Sequence, residues 1–249
     1  MLAMVRYIVR PPTILTTPRK LREVLNAQRT VNPRVSRRSL SFVDDLFLYY
    51  PDLPHEVNEY QVIRGFFVKN KHAQQRHLLT SGVKTPETYE PHEGNYVVRP
   101  YRHSGGHDFR VVFSDDWDSN THYGVPLFPK VKEYRVIFVR GRPLITLRKV
   151  FLNRTDSVLL SSSVPDASLP WNHSQGASFN TIAGGHEASS LRHSNAVRDL
   201  LNVPVVQHAH IVAADIMLNR SNEYAVCELN FCPALTIESN LQTIKEALA

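Results

Sequence analysis

Cysteine is scarce in this chain, which has only Cys227 and Cys232 among its 249 residues. Two cysteines are too few for a disulfide framework, and they lack partners for a zinc site. The scarcity therefore favours a reducing, cytoplasmic setting over a secreted one.

Long apolar segments are lacking as well. No stretch approaches the roughly 18 uninterrupted apolar residues that a membrane-spanning helix requires. The N-terminal stretch MLAMVRYIVRPP has too short an apolar run and too early an arginine for a secretory signal. We therefore expect no membrane partner.

Acidic residues are almost missing from residues 1–38, where Glu23 stands against nine lysines and arginines. This segment carries +8 of charge, so the rest of the chain carries −2 within the overall +6. A basic arm can bind phosphates, nucleic acid or an acidic partner, and an ordinary solvated surface has the same composition. Nucleic-acid binding is therefore an alternative that depends on this segment alone.

The rest of the composition is that of a globular protein, with 42% hydrophobic and 21% charged residues. The length allows one large domain or two small ones. The order of predicted elements indicates an α+β fold in three parts. We place a short basic α/β unit at residues 1–65, a first lobe at 66–125 and a second lobe at 126–249.

Local patterns place the helices and strands. Asn70 is the predicted cap of a helix over KHAQQRHLLT, which Gly82 ends, and Thr17 with Pro18 begins another over KLREVLNAQ. The predicted strands are VRYIVRP, NYVVRPYR, FRVVFS, KEYRVIFV, PLITLRKVF, HIVAADIML and EYAVCELNF. Further helices are predicted around SSLRHSNAVRDLLN and over about the last dozen residues.

The stretch CELNFCPAL places an acid and an amide two positions apart in an apolar strand. Alternation along a strand puts Glu228 and Asn230 on one face with Val226, and puts Cys227 on the other face. Asp215 lies in the preceding apolar strand, where a carboxylate needs a partner. If the two strands form an antiparallel hairpin, both carboxylates and the amide converge as the hard oxygen ligands that Mg²⁺ prefers. Taken alone, the stretch also fits an edge strand that runs into a turn.

A glycine-bearing turn and several cations would suit a metal-bound phosphate. The turn RHSGGHDF places Gly105 and Gly106 between two strands, where backbone N–H groups can close over phosphate oxygens. Most such turns are simple hairpins, and each cation taken singly fits a surface residue. The cations come from separate elements: Lys71, Arg99, Arg135, Arg148 and Lys149.

The order of these motifs resembles that of the ATP-grasp superfamily, in the branch of carboxylate–amine ligases that includes glutathione synthetase and the ligases that add glutamate to ribosomal protein. The similar stretches are NKHAQQRHLLTSGVKTPETY, NYVVRPYRHSGGHDFRVV, KEYRVIFVRGRPLITLRK, FNTIAGG, AADIML and CELNFCPAL. Each motif is weak alone, but their number and order are specific. The resemblance implies two α+β lobes that clasp ATP, preceded by a short N-terminal α/β domain.

The resemblance also implies roles for individual residues. Three side chains would hold one or two Mg²⁺ ions, or Mn²⁺ in their place: Asp215, Glu228 and Asn230. Basic side chains and a backbone lid would contact the ATP phosphates: Lys71, Arg99, Arg148 and Lys149, with Ser104, Gly105 and Gly106. Phe128 and Lys130 would lie near the adenine, at the hinge between the lobes. Arg135 and Asn180 would face the acyl phosphate and the acceptor.

The implied reaction joins a carboxylate to an amine at the expense of ATP. The carboxylate is phosphorylated, an amino acid, peptide or other amine attacks the acyl phosphate, and ADP and phosphate are released. Two alternatives remain open. One is an ATP-grasp protein that binds nucleotide, or phosphorylates its substrate, without ligation; the other is a basic nucleic-acid-binding protein.

Overall fold

A computed structural model gives the fold of the chain. The residues that it describes are 7–9, 16–26, 28–30, 41–43, 46–48, 70–101, 108–114, 116–151, 177–182, 186–209, 211–231, 233, 235 and 237–248. Among the helices in these ranges, none has the length and apolar character needed to cross a membrane.

A small α/β unit stands near the N-terminus. Strand β1 (Tyr7–Val9) pairs in parallel with β2 (Gln28–Thr30), and helix α1 (Thr16–Leu25) connects them. A hairpin of β3 (Ser41–Val43) and β4 (Leu46–Leu48) follows. The predicted strand VRYIVRP and the predicted helix over KLREVLNAQ are both present.

A helix and a three-stranded sheet come next. Helix α2 (Lys71–Thr80) begins where predicted, because the Asn70 side chain accepts a hydrogen bond from the Ala73 N–H at 2.9 Å. The sheet consists of β5 (Asn95–Pro100), β6 (Arg110–Phe113) and β7 (His122–Pro126). The strands pair antiparallel in the order β6-β5-β7. The predicted lobe boundaries, after residues 65 and 125, stay predictions.

A five-stranded antiparallel sheet forms most of the remaining chain, in the order β10-β9-β8-β11-β12. Its strands are β8 (Lys132–Val139), β9 (Arg142–Phe151), β10 (Ala177–Thr181), β11 (Ile211–Leu218) and β12 (Tyr224–Asn230). Arg140 and Gly141 join β8 to β9, with φ values of 49° and 70°. Two successive positive φ values suit a tight hairpin turn, so β8 and β9 form a hairpin with a turn of two residues.

Helices pack on one face of this sheet. They are α3 (His186–Arg192), α4 (Asn195–Leu200) and α5 (Pro204–His208). Leu191, Val197 and Val206 from these helices share a buried cluster with Val136 and Val212 of the sheet. The single helix predicted here is divided in two, because Ser194 caps the start of α4.

The opposite face of the sheet has two different halves. At one end, α1 and α6 (Glu238–Leu248) pack on it, and Leu21 and Ile244 share a buried cluster with Ile137 and Ile211. At the other end, charged side chains occupy the face: Glu133, Arg135, Lys149, Asp215 and Glu228. Charged side chains in the interior of a sheet need partners. Because the charged residues gather at this end of the face, this half of the face is the candidate site.

A β-bulge in β12 corrects the predicted strand parity. The pairing with β11 shifts directly after Asp215, which lies opposite Glu228, so Cys227 is an extra residue in the strand. Val226 consequently packs in the helix-covered core instead of sharing the face of Glu228. Cys227 packs with Met217 in a separate small cluster. Simple alternation fails here because a bulge reverses the side-chain direction beyond it.

Candidate functional site

Asp215 on β11 is a buried carboxylate at the centre of the site. Its side chain is 2% exposed, and its oxygens accept hydrogen bonds from Arg135 Nε at 2.7 Å and Nη2 at 2.8 Å. The sheet produces this two-point pairing, because Asp215 and Arg135 are register partners. Arg135 also lies over the Phe179 ring, with Cζ 4.4 Å from the ring centroid.

A row of alternating charges leads away from Asp215. Lys149 on β9 donates hydrogen bonds to Asp215 Oδ2, at 2.9 Å, and to Glu133 on β8. Glu133 accepts another from Lys130 at 2.8 Å. All four side chains are buried. Their alternating signs satisfy one another, which ions in a protein interior require.

Strand β12 contributes an acid and an amide to the same cluster. Glu228 is the register partner of Asp215, so the antiparallel pairing on which the metal prediction depends is present. Asn230 Nδ2 donates to Glu228 Oε1 at 3.1 Å and lies 3.3 Å from Asp215 Oδ2. Lys71, the first residue of α2, lies 3.3 Å from Glu228 Oε2. One helix and four strands therefore converge on this point.

Arg99 on β5 adds a further cation. Its Nε is buried and has no hydrogen-bond partner among the described residues, and its Cζ lies 5.0 Å from the Phe109 ring centroid. Burial disfavours the charge of Arg99, but neighbouring groups that include Cys227 and Glu228 raise its pKa above the ordinary value.

The described residues of the cluster carry a positive balance. Among them are five cations and three carboxylates, which gives +2: Lys71, Arg99, Lys130, Arg135 and Lys149 against Glu133, Asp215 and Glu228. A surplus of positive charge on a sheet face attracts an anion with several negative charges.

The pKa values of the two facing carboxyl groups follow from these pairs. Burial opposes the charge of Asp215, but Arg135 and Lys149 outweigh it and hold the pKa of this group well below its usual range. Burial also opposes the charge of Glu228, but Lys71 outweighs it and lowers the pKa to about 2. Both groups are therefore ionised at neutral pH, as metal ligands must be.

Acid should destabilise the folded protein through these carboxyl groups. A group whose pKa is lowered by folding adds stability above its unfolded pKa and loses that stability as the pH falls through its folded pKa. The free energy of unfolding should therefore decline from about pH 4 towards the pKa of about 2 of Glu228. Urea titrations at a series of pH values measure this decline. Glu228→Gln should decline less steeply, and an equally steep decline would contradict the assignment.

Two predicted site residues face away from the cluster. Arg148 precedes Lys149 in β9, and neighbours in a strand point to opposite faces. Arg148 accordingly lies 3.7 Å from Glu187, on the helix-covered side. Asn180 is the register partner of Arg148 on the edge strand β10, and it is exposed. The sequence motifs place both residues near the substrates, but the sheet brings neither into the cluster.

The other predicted contacts to ATP are not tested by the geometry. The phosphate lid at residues 104–106 lies outside the described residues. Phe128 is buried beside Met217 and Tyr89, and its ring centroid lies 4.9 Å from that of Tyr89. A role for Phe128 and Lys130 at the adenine stays a prediction.

Three described residues at the site are not predicted from the sequence: Gln74, Glu133 and Phe179. Glu133 has a detectable signal, because it stands two positions before Arg135 in a predicted strand and must share its face. Phe179 reaches the cluster only through the register of β10 with β9. Gln74 binds the Leu229 backbone between Glu228 and Asn230, a contact that depends on the packing of α2 on β12 and that local sequence does not reveal.

Comparison with known proteins gives matches in structure alone. Neither a family model nor a curated protein sequence matches the chain. The ATP-grasp ligase PsnB, complexed with a minimal precursor, is 12% identical with a TM-score of 0.54, over 99% of this chain and 98% of PsnB. D-alanine–D-alanine ligase from Bacillus anthracis, complexed with ATP, is 11% identical with a TM-score of 0.52, over 99% and 97% of the two chains.

The chain has an ATP-grasp fold. A further match is the macrocyclase MdnC from Microcystis aeruginosa MRC, bound with its precursor peptide MdnA. It is 12% identical with a TM-score of 0.51, over 98% of both chains. The fold class predicted from the motifs is therefore confirmed.

The described residues fit the Mg²⁺ that an ATP-grasp fold implies. Asp215 and Glu228 face each other as ionised oxygen donors. Asn230, whose Nδ2 contacts both acids, would turn its amide oxygen towards a bound metal. No three His, Cys, Asp or Glu side chains in the described ranges form a metal-binding group. The amide and the oxygens of a bound phosphate would therefore complete the shell. Glu228, with a side chain 22% exposed, is more accessible than Asp215.

Proposed function

We propose that this protein is an ATP-dependent carboxylate–amine ligase. It forms an amide or peptide bond through an acyl phosphate and releases ADP and phosphate. The observation that carries the proposal is the facing pair of Asp215 and Glu228, with Asn230 close to both, inside a cluster of net positive charge. Such a site suits a metal-bound polyphosphate, because the acids bind the metal and the cations bind the phosphates.

Mg·ATP is the nucleotide complex that we expect. The B. anthracis ligase was solved with ATP, and PsnB was solved with Mg and ADP. Asp215, Glu228 and Asn230 would hold one or two Mg²⁺ ions, or Mn²⁺. Bound there, the metal would neutralise negative charge on the phosphoryl group in transfer.

The protein side chains bind and orient the reacting groups. Lys71 and Lys149 neutralise phosphate oxygens, and Arg99 adds a planar guanidinium from β5. Arg135, held in place by Asp215, puts a fixed positive charge where an amine attacks the acyl phosphate, and so stabilises the oxyanion that forms. The substrate carboxylate itself attacks the γ-phosphate, so the reaction needs no nucleophilic side chain.

A peptide is the first substrate class to test. PsnB was solved with a minimal precursor and MdnC with a precursor peptide. We infer a carboxylate on a peptide or amino acid as one substrate and an amine as the other. The scarcity of cysteine supports a cytoplasmic location.

Product release tests the proposal. A thermal-shift screen with Mg·ADP over amino acids and peptides first identifies candidate substrates. The ligase should then release ADP and phosphate only when a carboxylate and an amine are both present. Hydroxylamine should replace the amine and trap the acyl phosphate as a hydroxamate.

Each alternative predicts a different result. Release of ADP without any need for an amine would indicate a kinase. Salt-dependent binding to nucleic acid that survives Glu228→Gln would support the nucleic-acid alternative. A protein that Mg·ADP does not stabilise at all would refute the proposed function.

A further inference from the structure

We propose that Gln74 is a positioning residue for metal-dependent nucleotide binding, an inference that rests on the proposed function. Gln74 lies on α2, three residues after Lys71, and its exposure is 0%. Burying an amide so fully is costly unless its donor and acceptor groups are both used. The partners of this amide show what it positions.

The Gln74 amide pairs with the outer edge of β12. Among the described strands, β12 is the last in its sheet, so its outward N–H and C=O groups need partners from outside the sheet. The Leu229 N–H donates to Gln74 Oε1 at 2.7 Å, and Gln74 Nε2 donates to the Leu229 carbonyl at 3.0 Å. The side chain therefore binds Leu229 at two points, as a residue of a neighbouring strand would.

Leu229 lies directly between the two proposed metal ligands of β12. Holding its peptide groups therefore fixes the backbone from which Glu228 and Asn230 project. Lys71, on the same helix, lies 3.3 Å from Glu228 Oε2 and 3.4 Å from the Leu229 carbonyl. Gln74 thus holds the lysine and both proposed metal ligands in one unit.

The bulge makes this support important. Cys227, the extra residue of β12, stands next to Glu228, and a bulge disrupts the ladder at that point. On the outer edge, Gln75 Nε2 donates to the Cys227 carbonyl at 2.9 Å, whereas Gln75 Oε1 is buried with no partner in the part of the chain that the structure describes. Gln75 therefore makes a one-point contact before the metal ligands, while Gln74 makes a two-point contact between them.

This difference provides a matched pair of variants, Gln74→Met and Gln75→Met. Both replace a buried amide, exposed by 0% and 3%, with an unbranched apolar side chain of similar length. Isothermal titration calorimetry of ADP binding, with and without Mg²⁺, gives the factor by which the metal tightens binding. This factor, the magnesium enhancement, depends on the geometry of the metal ligands. If Gln74 had only a structural role, its substitution would lower the melting temperature and leave the enhancement unchanged.

Gln74→Met should reduce the magnesium enhancement by roughly tenfold to hundredfold, the usual effect of losing a group that orients metal ligands. Gln75→Met should leave the enhancement within about threefold, because it does not hold the peptide between the ligands. Both variants should lower the melting temperature. An unchanged enhancement in Gln74→Met, or equal losses in the two variants, would overturn the inference.

A second variant decides the question if Gln74→Met does not fold. In Gln74→Asn, the amide keeps its donor and its acceptor, but the side chain is one methylene shorter and cannot reach both groups of Leu229. Its enhancement should fall below that of the wild type, and a wild-type value would overturn the inference. Failure of the proposed function is distinguishable, because the wild-type protein itself would then show no binding of Mg·ADP.

Discussion

Glu228→Gln is expected to weaken Mg·ADP binding at least about 100-fold, because several kcal/mol of metal binding are lost at about 1.36 kcal/mol per decade. The substitution removes one of two facing carboxylates and also the ion-pair partner of Lys71. The positive balance of the cluster then rises by one charge. Binding of metal-free ADP should therefore stay unchanged or become tighter. Calorimetry with and without Mg²⁺ measures these opposite effects.

Glu223→Gln is the matched control for the loss of charge. Glu223 lies in the exposed turn between β11 and β12, where it accepts a hydrogen bond from Asn219 Nδ2 at 2.7 Å. Glu223→Gln changes the net charge by the same amount as Glu228→Gln, but Mg·ADP binding should not change. Equal weakening in both variants would show a general charge effect. Normal Mg·ADP binding by Glu228→Gln would contradict its assignment as a metal ligand.

Lys149→Met is expected to lower the free energy of unfolding by about 3–5 kcal/mol, the usual cost of breaking a buried ion pair. The Lys149 side chain is 4% exposed and binds two buried carboxylates, Asp215 and Glu133. Without it, each acid keeps fewer compensating donors. Urea unfolding measures the loss. Mg·ADP should raise the melting temperature of the wild type much more than that of the variant, because a proposed phosphate ligand is also removed.

Arg148→Met is the matched control, since it removes the neighbouring positive charge from the opposite face of the same strand. The Arg148 side chain is 42% exposed and lies 3.7 Å from Glu187. Its loss should change stability by no more than about 0.5 kcal/mol, as for most exposed ion pairs. Similar losses in the two variants would contradict the opposite orientation of these neighbours and the placement of the site on one face.

Local patterns in the sequence predict much of the fold, because each depends on neighbouring residues. Asn70 caps α2 as predicted, and the strands that carry Asp215 and Glu228 pair as an antiparallel hairpin. The order of motifs indicates the ATP-grasp fold although no family model matches. The position of Glu133 can also be predicted from the sequence, because its spacing of two residues from Arg135 places both side chains on one face of β8.

Other features depend on contacts between residues far apart in the chain. The bulge at Cys227 arises from the pairing of β12 with β11, and alternation along β12 alone predicts the wrong face for Val226. The motifs group Arg148 with Lys149, but the fold buries only Lys149 in the cluster.

The sequence by itself therefore determined the types of side chain at the site and the elements that carry them. Only the tertiary structure decided which cations meet which carboxylates. It also decided that Gln74 of α2 supports the strand of the proposed metal ligands, 155 positions away at Leu229. The physical reason is that side-chain alternation is a local property, whereas strand register, bulges and helix docking are set by packing across the whole fold.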